Sequence, residues 1–219
     1  MTDIVPDKKE REPLSSLILY HALKWSVVMP IFRGYFHGSV QGIENVPKRG
    51  AFLAVSNHAS NFDPPILSAA VGRPVAFMAK EELFQVPVLK QVIRTYGAYP
   101  VKRGAGDRRA IRAALDALKA GWAVGVFLQG TRTPDGRVTS PKQGAAMIAA
   151  KAQVPLLPIC ISGSELIFQS GSNLPRPTTL TVRIGTAIAP PTAIKKEALS
   201  LITQECADQI NALQQTEAK

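Results

Sequence analysis

Only two cysteines occur in the 219 residues, Cys160 and Cys206, far apart and without metal-ligand spacing around them. That scarcity speaks against a disulfide framework and against a zinc site, and it suits a reducing compartment. Cys160 lies in the apolar run 156–161 and reads as a small core residue. No G-x-S-x-G is present, so a serine acyl-enzyme lacks its motif. No G-x-x-x-x-G-K-[ST] and no dinucleotide fingerprint occur either. Internal repeats and low-complexity segments are missing. Acid is also scarce: 16 Asp and Glu face 26 Lys and Arg, leaving a formal charge of +10. Such a balance calls for a polyanionic partner, which could be nucleic acid, an anionic membrane or a phosphorylated substrate. The basic stretch 94–112 carries only Tyr96 and Tyr99 as aromatics, too few to stack nucleobases, so no nucleic-acid partner is expected.

What is present describes one globular domain with a real core, 46% hydrophobic and 19% charged. Residues 1–13 are short of apolar side chains and read as a flexible tail. Residues 14–32 are the one segment suited to a bilayer, roughly 28 Å long as a helix at about 1.5 Å per residue. His21 and Lys24 fall near its middle on one face, and a central lysine costs a spanning helix about 2.5–3.5 kcal/mol. A helix over 14–34 lying in the interface avoids that cost by keeping both among the headgroups, with Trp25 and Tyr20 at the same depth. A buried core helix is the competing reading. The domain proper then runs over 35–219.

Beyond Gly50, short apolar runs alternate with helical patterns. Strands are expected at 51–56, 74–79, 97–101, 123–128 and 155–162, with a later, edge-type strand at 180–184. Helices are expected from Pro64, over 87–96, over 107–120 closed by Gly121, and over 142–152. A last helix carries the stripe Leu199, Ile202, Cys206, Ile210 and Leu213. This alternation predicts a single α/β domain whose mostly parallel central sheet is flanked by helices.

Three constellations can carry chemistry. In Asn57-His58-Ala-Ser-Asn-Phe-Asp63-Pro-Pro65, His58 follows a strand directly, where α/β sheets place their sites. Asp63 is expected at the N-cap of the next helix, before a proline. A loop of four residues can return its carboxylate to one imidazole nitrogen, leaving His58 as a base. Alone, each has an ordinary reading: a turn histidine and a capping aspartate. The second constellation is the cationic stretch around Lys102 and Arg103, which follow an extended segment and can reach a cleft. Arg108, Arg109 and Arg112 read better as a solvated helix face, or as one attracted to anionic lipid. The third is Gln129-Gly130-Thr131-Arg132 at the end of a buried strand, otherwise an ordinary turn.

The ordered set resembles the glycerolipid acyltransferase family, the group that contains 1-acylglycerol-3-phosphate acyltransferases of bacterial and plastid type. His58 to Asp63 is similar to its H-x-x-x-x-D block. Gly97 to Arg103 resembles the second block, which ends in a phosphate-contacting arginine. Gln129-Gly-Thr-Arg132 resembles the third, usually E-G-T-R, and Val154-Pro-Leu-Leu-Pro158 the fourth. Met78-Ala-Lys80-Glu-Glu-Leu-Phe84 and Pro141-Lys142-Gln-Gly144-Ala are similar to family sequence between the blocks. The likeness covers residues 35 to 190 in order, and four blocks in register are specific where any one is weak.

The resemblance implies an enzyme that moves a fatty acyl group from acyl-CoA or acyl-carrier protein, as co-substrate, to the sn-2 hydroxyl of 1-acylglycerol-3-phosphate. No cofactor and no metal are implied. His58 would be the base, Asp63 its orienting partner, and Arg103, Arg132 and Lys80 the phosphate ligands. Gln129, Gly130 and Thr131 would line the site. The partners would be an anionic membrane surface, the lysophospholipid acceptor and the acyl donor, with the chain peripheral or monotopic on the cytoplasmic face. Gln129 departs from the family glutamate: its oxygen can accept a hydrogen bond but carries no charge, which leaves the acceptor's identity open. Competing readings are an acyltransferase for another lysolipid or glycerol-phosphate acceptor, a non-catalytic basic module for anionic lipid, and a hydrolase whose nucleophile is not found.

Overall fold

The computed structural model describes residues 14–85, 87, 90, 91, 93, 98–101, 107–168 and 174–215. Expectations on residues 1–13, most of the 87–96 helix, and Lys102 and Arg103 fall outside that set.

Seven strands form one sheet in the order β1-β7-β6-β2-β5-β3-β4. They are β1 (Ser39–Gln41), β2 (Leu53–Ser56), β3 (Val75–Lys80), β4 (Tyr99–Val101), β5 (Ala123–Phe127), β6 (Leu156–Ser162) and β7 (Thr181–Ile184). The β6–β7 pairing is antiparallel and every other pairing is parallel, which gives the mostly parallel α/β domain. Central strands are buried on both faces, so they read as continuous apolar runs. Side chains still alternate between two cores: Leu53 and Val55 look one way, Phe52 and Ala54 the other.

One core holds α2 (Asp63–Val71) and the N-terminal helix; the other holds α3 (Asp107–Lys119), α4 (Gly144–Ala152) and α5 (Lys196–Gln215). The α5 stripe places Cys206 at 0% exposure, and burial, followed by the charge of Glu205, pushes its thiol up to about 12. A thiol in that state is inert packing, as its position in the stripe implied.

The 180–184 strand is not at the edge. β7 lies second from the edge, covered by β1, a three-residue strand that sequence reading missed. Three residues carry no usable periodicity, and β1 forms because Ser39 N–H and Leu180 N–H bond across to Leu180 O and Phe36 O.

The N-terminal segment is α1 (Leu14–Leu23) continued by π-helical turns at Lys24–Val28 and Ile31–Tyr35. Leu14–Tyr35 is the one helix among the described residues long and apolar enough to cross a membrane by length and composition. Its inner stripe packs on α2. The Tyr20 hydroxyl donates to Ser68 O at 2.7 Å, and Met29, Phe32 and Phe36 enter the α2 core. Tyr20 and Lys24 were expected among headgroups beside Trp25, and the structure corrects this. Both are buried against the protein, with the Lys24 ammonium 5.7 Å from the Tyr20 ring and close to Gly72 at the α2 C-terminus. A helix C-terminus attracts a cation, so α2 gives that lysine a place inside. Burial, and after it the charge of Arg33, holds the Lys24 ammonium below the usual lysine range. His21 and Trp25 do face outward, together with Leu14, Ile18, Val27 and Ile31.

Candidate active site

β2 ends at Ser56, and Asn57 continues its pairing with a side chain in place of backbone. The Asn57 carboxamide accepts from Ile161 N–H at 2.8 Å and donates to Ile161 O at 2.8 Å, both on β6. A further donation to Gly136 O at 2.9 Å ties this corner to the loop after β5. The chain is thus free to turn at His58 while the sheet stays closed beneath it.

Past the turn, Asp63 opens α2. It was expected at the N-cap; that position belongs to Phe62, and Asp63 is the first helical residue. Pro64 and Pro65 explain the difference. Pro65 has no N–H, and the Ile66 N–H already donates to Phe62 O at 3.1 Å, so a carboxylate leaning forward over the helix would find no free amide. Oδ2 turns back instead, accepting from Ala59 N–H at 2.7 Å and Ser60 N–H at 2.8 Å, and meeting His58 Nδ1 at 2.8 Å. Asp63 is fully buried, whereas the His58 side chain keeps 18% exposure. A carboxylate only accepts, so Nδ1 carries the proton and Nε2 keeps a lone pair. Nε2 has no hydrogen-bond partner among the described residues.

A stack of rings sets the plane of the imidazole. Phe127, at the end of β5, lies parallel to His58 at 3.9 Å between centroids and 11° between planes. Phe77 stacks on Phe127 at 5.6 Å. Phe77 reaches there because its register partner on β5 is Gly125, where a Cβ would fall inside the Phe77 ring. The stack restricts tilting of the imidazole and offers a π-face to an imidazolium. These rings were missed by sequence reading; a Phe at the strand end before the Q-G-T-R turn was the available signal.

The loop after β5 closes the other side. Thr133 N–H donates to His58 O at 2.8 Å, tying the Gln129–Thr133 turn to the histidine. Gly130 adopts φ +71° in the turn, and Thr131 and Arg132 are exposed. Gln129 was expected to line the site. Its carboxamide oxygen turns into the loop, accepting from Thr139 N–H at 2.8 Å and Ser140 N–H at 3.2 Å. A neutral amide suffices for that role. For Lys80 the backbone is described, ending β3, and its side chain lies outside the described set. Among the described residues no three His, Cys, Asp or Glu side chains group as metal ligands.

Not every buried cation serves this corner. Arg73 packs over the Phe52 ring and donates to the carbonyls of Pro47, Gly50 and Gly121. It is a staple between loops.

Comparison with known proteins gives a consistent picture. The family model described as Acyltransferase matches residues 37–162, more than half of the chain. A chloroplastic 1-acyl-sn-glycerol-3-phosphate acyltransferase of Brassica napus is 34% identical over 143 residues, covering 63% of this chain and 41% of that protein. A 1-acyl-sn-glycerol-3-phosphate acyltransferase of Borreliella burgdorferi is 29% identical over 145 residues, covering 60% of this chain and 56% of that protein. The matches thus span about two fifths to three fifths of these relatives' lengths. The crystal structure of the 1-acyl-sn-glycerophosphate (LPA) acyltransferase PlsC from Thermotoga maritima superposes with a TM-score of 0.69 at 26% identity, covering 93% of this chain and 95% of that one. With the family match enclosing His58, Asp63 and the Gln129–Arg132 turn, this chain belongs to the acyltransferase family.

Proposed function

We propose that the chain transfers a fatty acyl group from acyl-CoA or acyl-carrier protein to the sn-2 hydroxyl of 1-acylglycerol-3-phosphate, forming phosphatidate at a membrane surface. The observation that carries the reading is the 2.8 Å contact between His58 Nδ1 and a fully buried Asp63, with Nε2 unbonded among the described residues. The names of the relatives support the choice of acceptor.

In this reading Nε2 takes the proton of the acceptor hydroxyl as its oxygen attacks the thioester carbonyl carbon. The tetrahedral adduct collapses, the C–S bond breaks, and the departing sulfur takes the proton from the imidazolium. Asp63 fixes the tautomer and balances the positive ring. A thioester has a good leaving group, so positioning and proton removal carry the step without a protein nucleophile. Arg132, exposed on the loop tied to His58, is a ligand for the acceptor phosphate; Arg103 and Lys80 join it by family resemblance.

The outward apolar face of Leu14, Ile18, Trp25, Val27 and Ile31 supports a peripheral or monotopic seat on a membrane, the helix lying in the interface. The cytoplasmic face is proposed because acyl-CoA and acyl-carrier protein are cytosolic donors. With Lys24 folded inward on α2, that face offers lipid no buried charge. The test is purified protein with labelled acyl-CoA or acyl-carrier protein and a panel of lysolipids, products separated by headgroup. Labelled phosphatidate as the main product supports the proposal. Free fatty acid without an acceptor, or another headgroup, refutes it.

A further inference from the structure

A cavity of about 1350 Å3 opens on the sheet face opposite α2, between α3 and α4, and His58 is not among the residues lining it. Its wall is apolar, with Ile111, Leu115, Val126 and Ile148. Six cations ring it, Arg108, Arg109, Arg112, Lys119, Lys142 and Lys151, all exposed, against the single acid Asp116 among the described lining residues. None of the six pairs with an acid among the described residues.

Position narrows the occupant. The outward apolar face of the N-terminal helix belongs to the α2 side, so a bilayer seated there leaves the α3–α4 cavity facing water. A concave apolar wall inside a cationic rim fits a soluble molecule with several phosphates and a less polar body. An anionic lipid surface would meet the opposite face, where the outward apolar helix lies.

The cavity and the His58 corner also share structure. Val126 on its wall precedes Phe127, the ring under His58, and Met78 on its wall follows Phe77. Lys142 on the rim reaches the turn beyond β5, its Nζ 3.1 Å from where a Cβ on Gly130 would lie. An extended arm of a molecule held in the cavity would have to cross the end of β5 at Gly130 to reach His58.

We infer that this cavity holds the nucleotide end of a coenzyme A thioester, so that donor and acceptor approach His58 from opposite faces of the sheet. The inference rests on the acyl-transfer reading above and selects its donor.

The test uses the whole chain. Arg112→Glu with Lys151→Glu reverses one exposed cation on each helix; Lys195→Glu with Lys196→Glu makes the same charge change outside the cavity. Steady-state KM is measured for palmitoyl-CoA and for lysophosphatidate, with calorimetric titration of coenzyme A and inorganic phosphate and a melting curve for each variant. With melting unchanged, the cavity variant should raise the palmitoyl-CoA KM and weaken coenzyme A binding by about tenfold or more, the loss expected of two charge-assisted contacts. The lysophosphatidate KM should stay within about twofold, the control pair should match the parent, and inorganic phosphate should bind far more weakly than coenzyme A. An unchanged palmitoyl-CoA KM overturns the inference. So does a loss confined to an acyl-carrier-protein donor, or lost binding to anionic vesicles with coenzyme A affinity intact. If the parent transfers no acyl group, the acyl-transfer reading falls, and calorimetry still decides the cavity: coenzyme A binding weakened in the cavity variant supports it, and no binding to the parent overturns it.

Discussion

Replacing Asp63 with Asn separates charge from shape at the centre of the site. Oδ2 now accepts three contacts, from His58 Nδ1 and from the amides of Ala59 and Ser60, at 2.7 to 2.8 Å. An asparagine oxygen in that place keeps all three. Its NH2 then takes the position of Oδ1, which is buried without a hydrogen-bond partner among the described residues. The flipped rotamer is worse, aiming N–H groups at two backbone N–H groups. One buried unsatisfied group costs about 1–3 kcal/mol, so the variant should fold with reduced stability. The imidazolium loses its counter-charge. The comparable Asp-to-Asn change that lowers kcat about 10⁴-fold also imposes the wrong histidine tautomer, which the asparagine oxygen avoids here, so that figure is an upper bound. His58 is partly open to water, which compensates some of the lost charge, so a fall of about 10²–10⁴-fold in kcat is expected here. The assay is thiol release from acyl-CoA in the presence of lysophosphatidate, with a urea midpoint measured on the same protein. A kcat within about threefold of the parent would refute the pairing as a catalytic device.

Gly125→Ala should drive a methyl into the Phe77 ring, destabilise the protein by about 1–3 kcal/mol, and lower kcat by tilting the rings under His58. Urea unfolding and steady-state rates check both effects. Gln129→Glu keeps an oxygen for the Thr139 and Ser140 amides and should leave the rate within about threefold, whereas Gln129→Leu loses both bonds and should cost about tenfold. Ile18→Asp with Trp25→Asp, both on the outward face, should abolish sedimentation with anionic vesicles while the melting temperature holds.

Local relations were legible from the chain itself. His58 and Asp63 are five residues apart, so one turn decides their meeting, and the alternation of apolar runs sufficed for the parallel sheet and its flanking helices. The misreadings have separate causes. Asp63 was assigned to the N-cap because an aspartate before proline favours it; the second proline, Pro65, removes another amide and frees the carboxylate for histidine. His21 and Lys24, expected on one face from their three-residue spacing, separate, with His21 outward and Lys24 turned to α2 beside Tyr20, because spacing does not tell where the packed stripe ends. β7 reads as an edge strand because β1, the three-residue strand that covers it, is too short to leave a pattern. The ring stack depends on Phe77 pairing with Gly125 across two strands, and register of that kind is a tertiary fact.

The most direct measurement is the initial rate of acyl transfer to 1-acylglycerol-3-phosphate by His58→Ala, with folding and vesicle binding confirmed on the same preparation. The side chain is partly exposed and lies outside both cores, so its loss should leave the fold and the membrane-facing helix intact. The account predicts a rate at least about 10³-fold below the parent. A folded, vesicle-bound variant that keeps a tenth or more of the parent rate would contradict it.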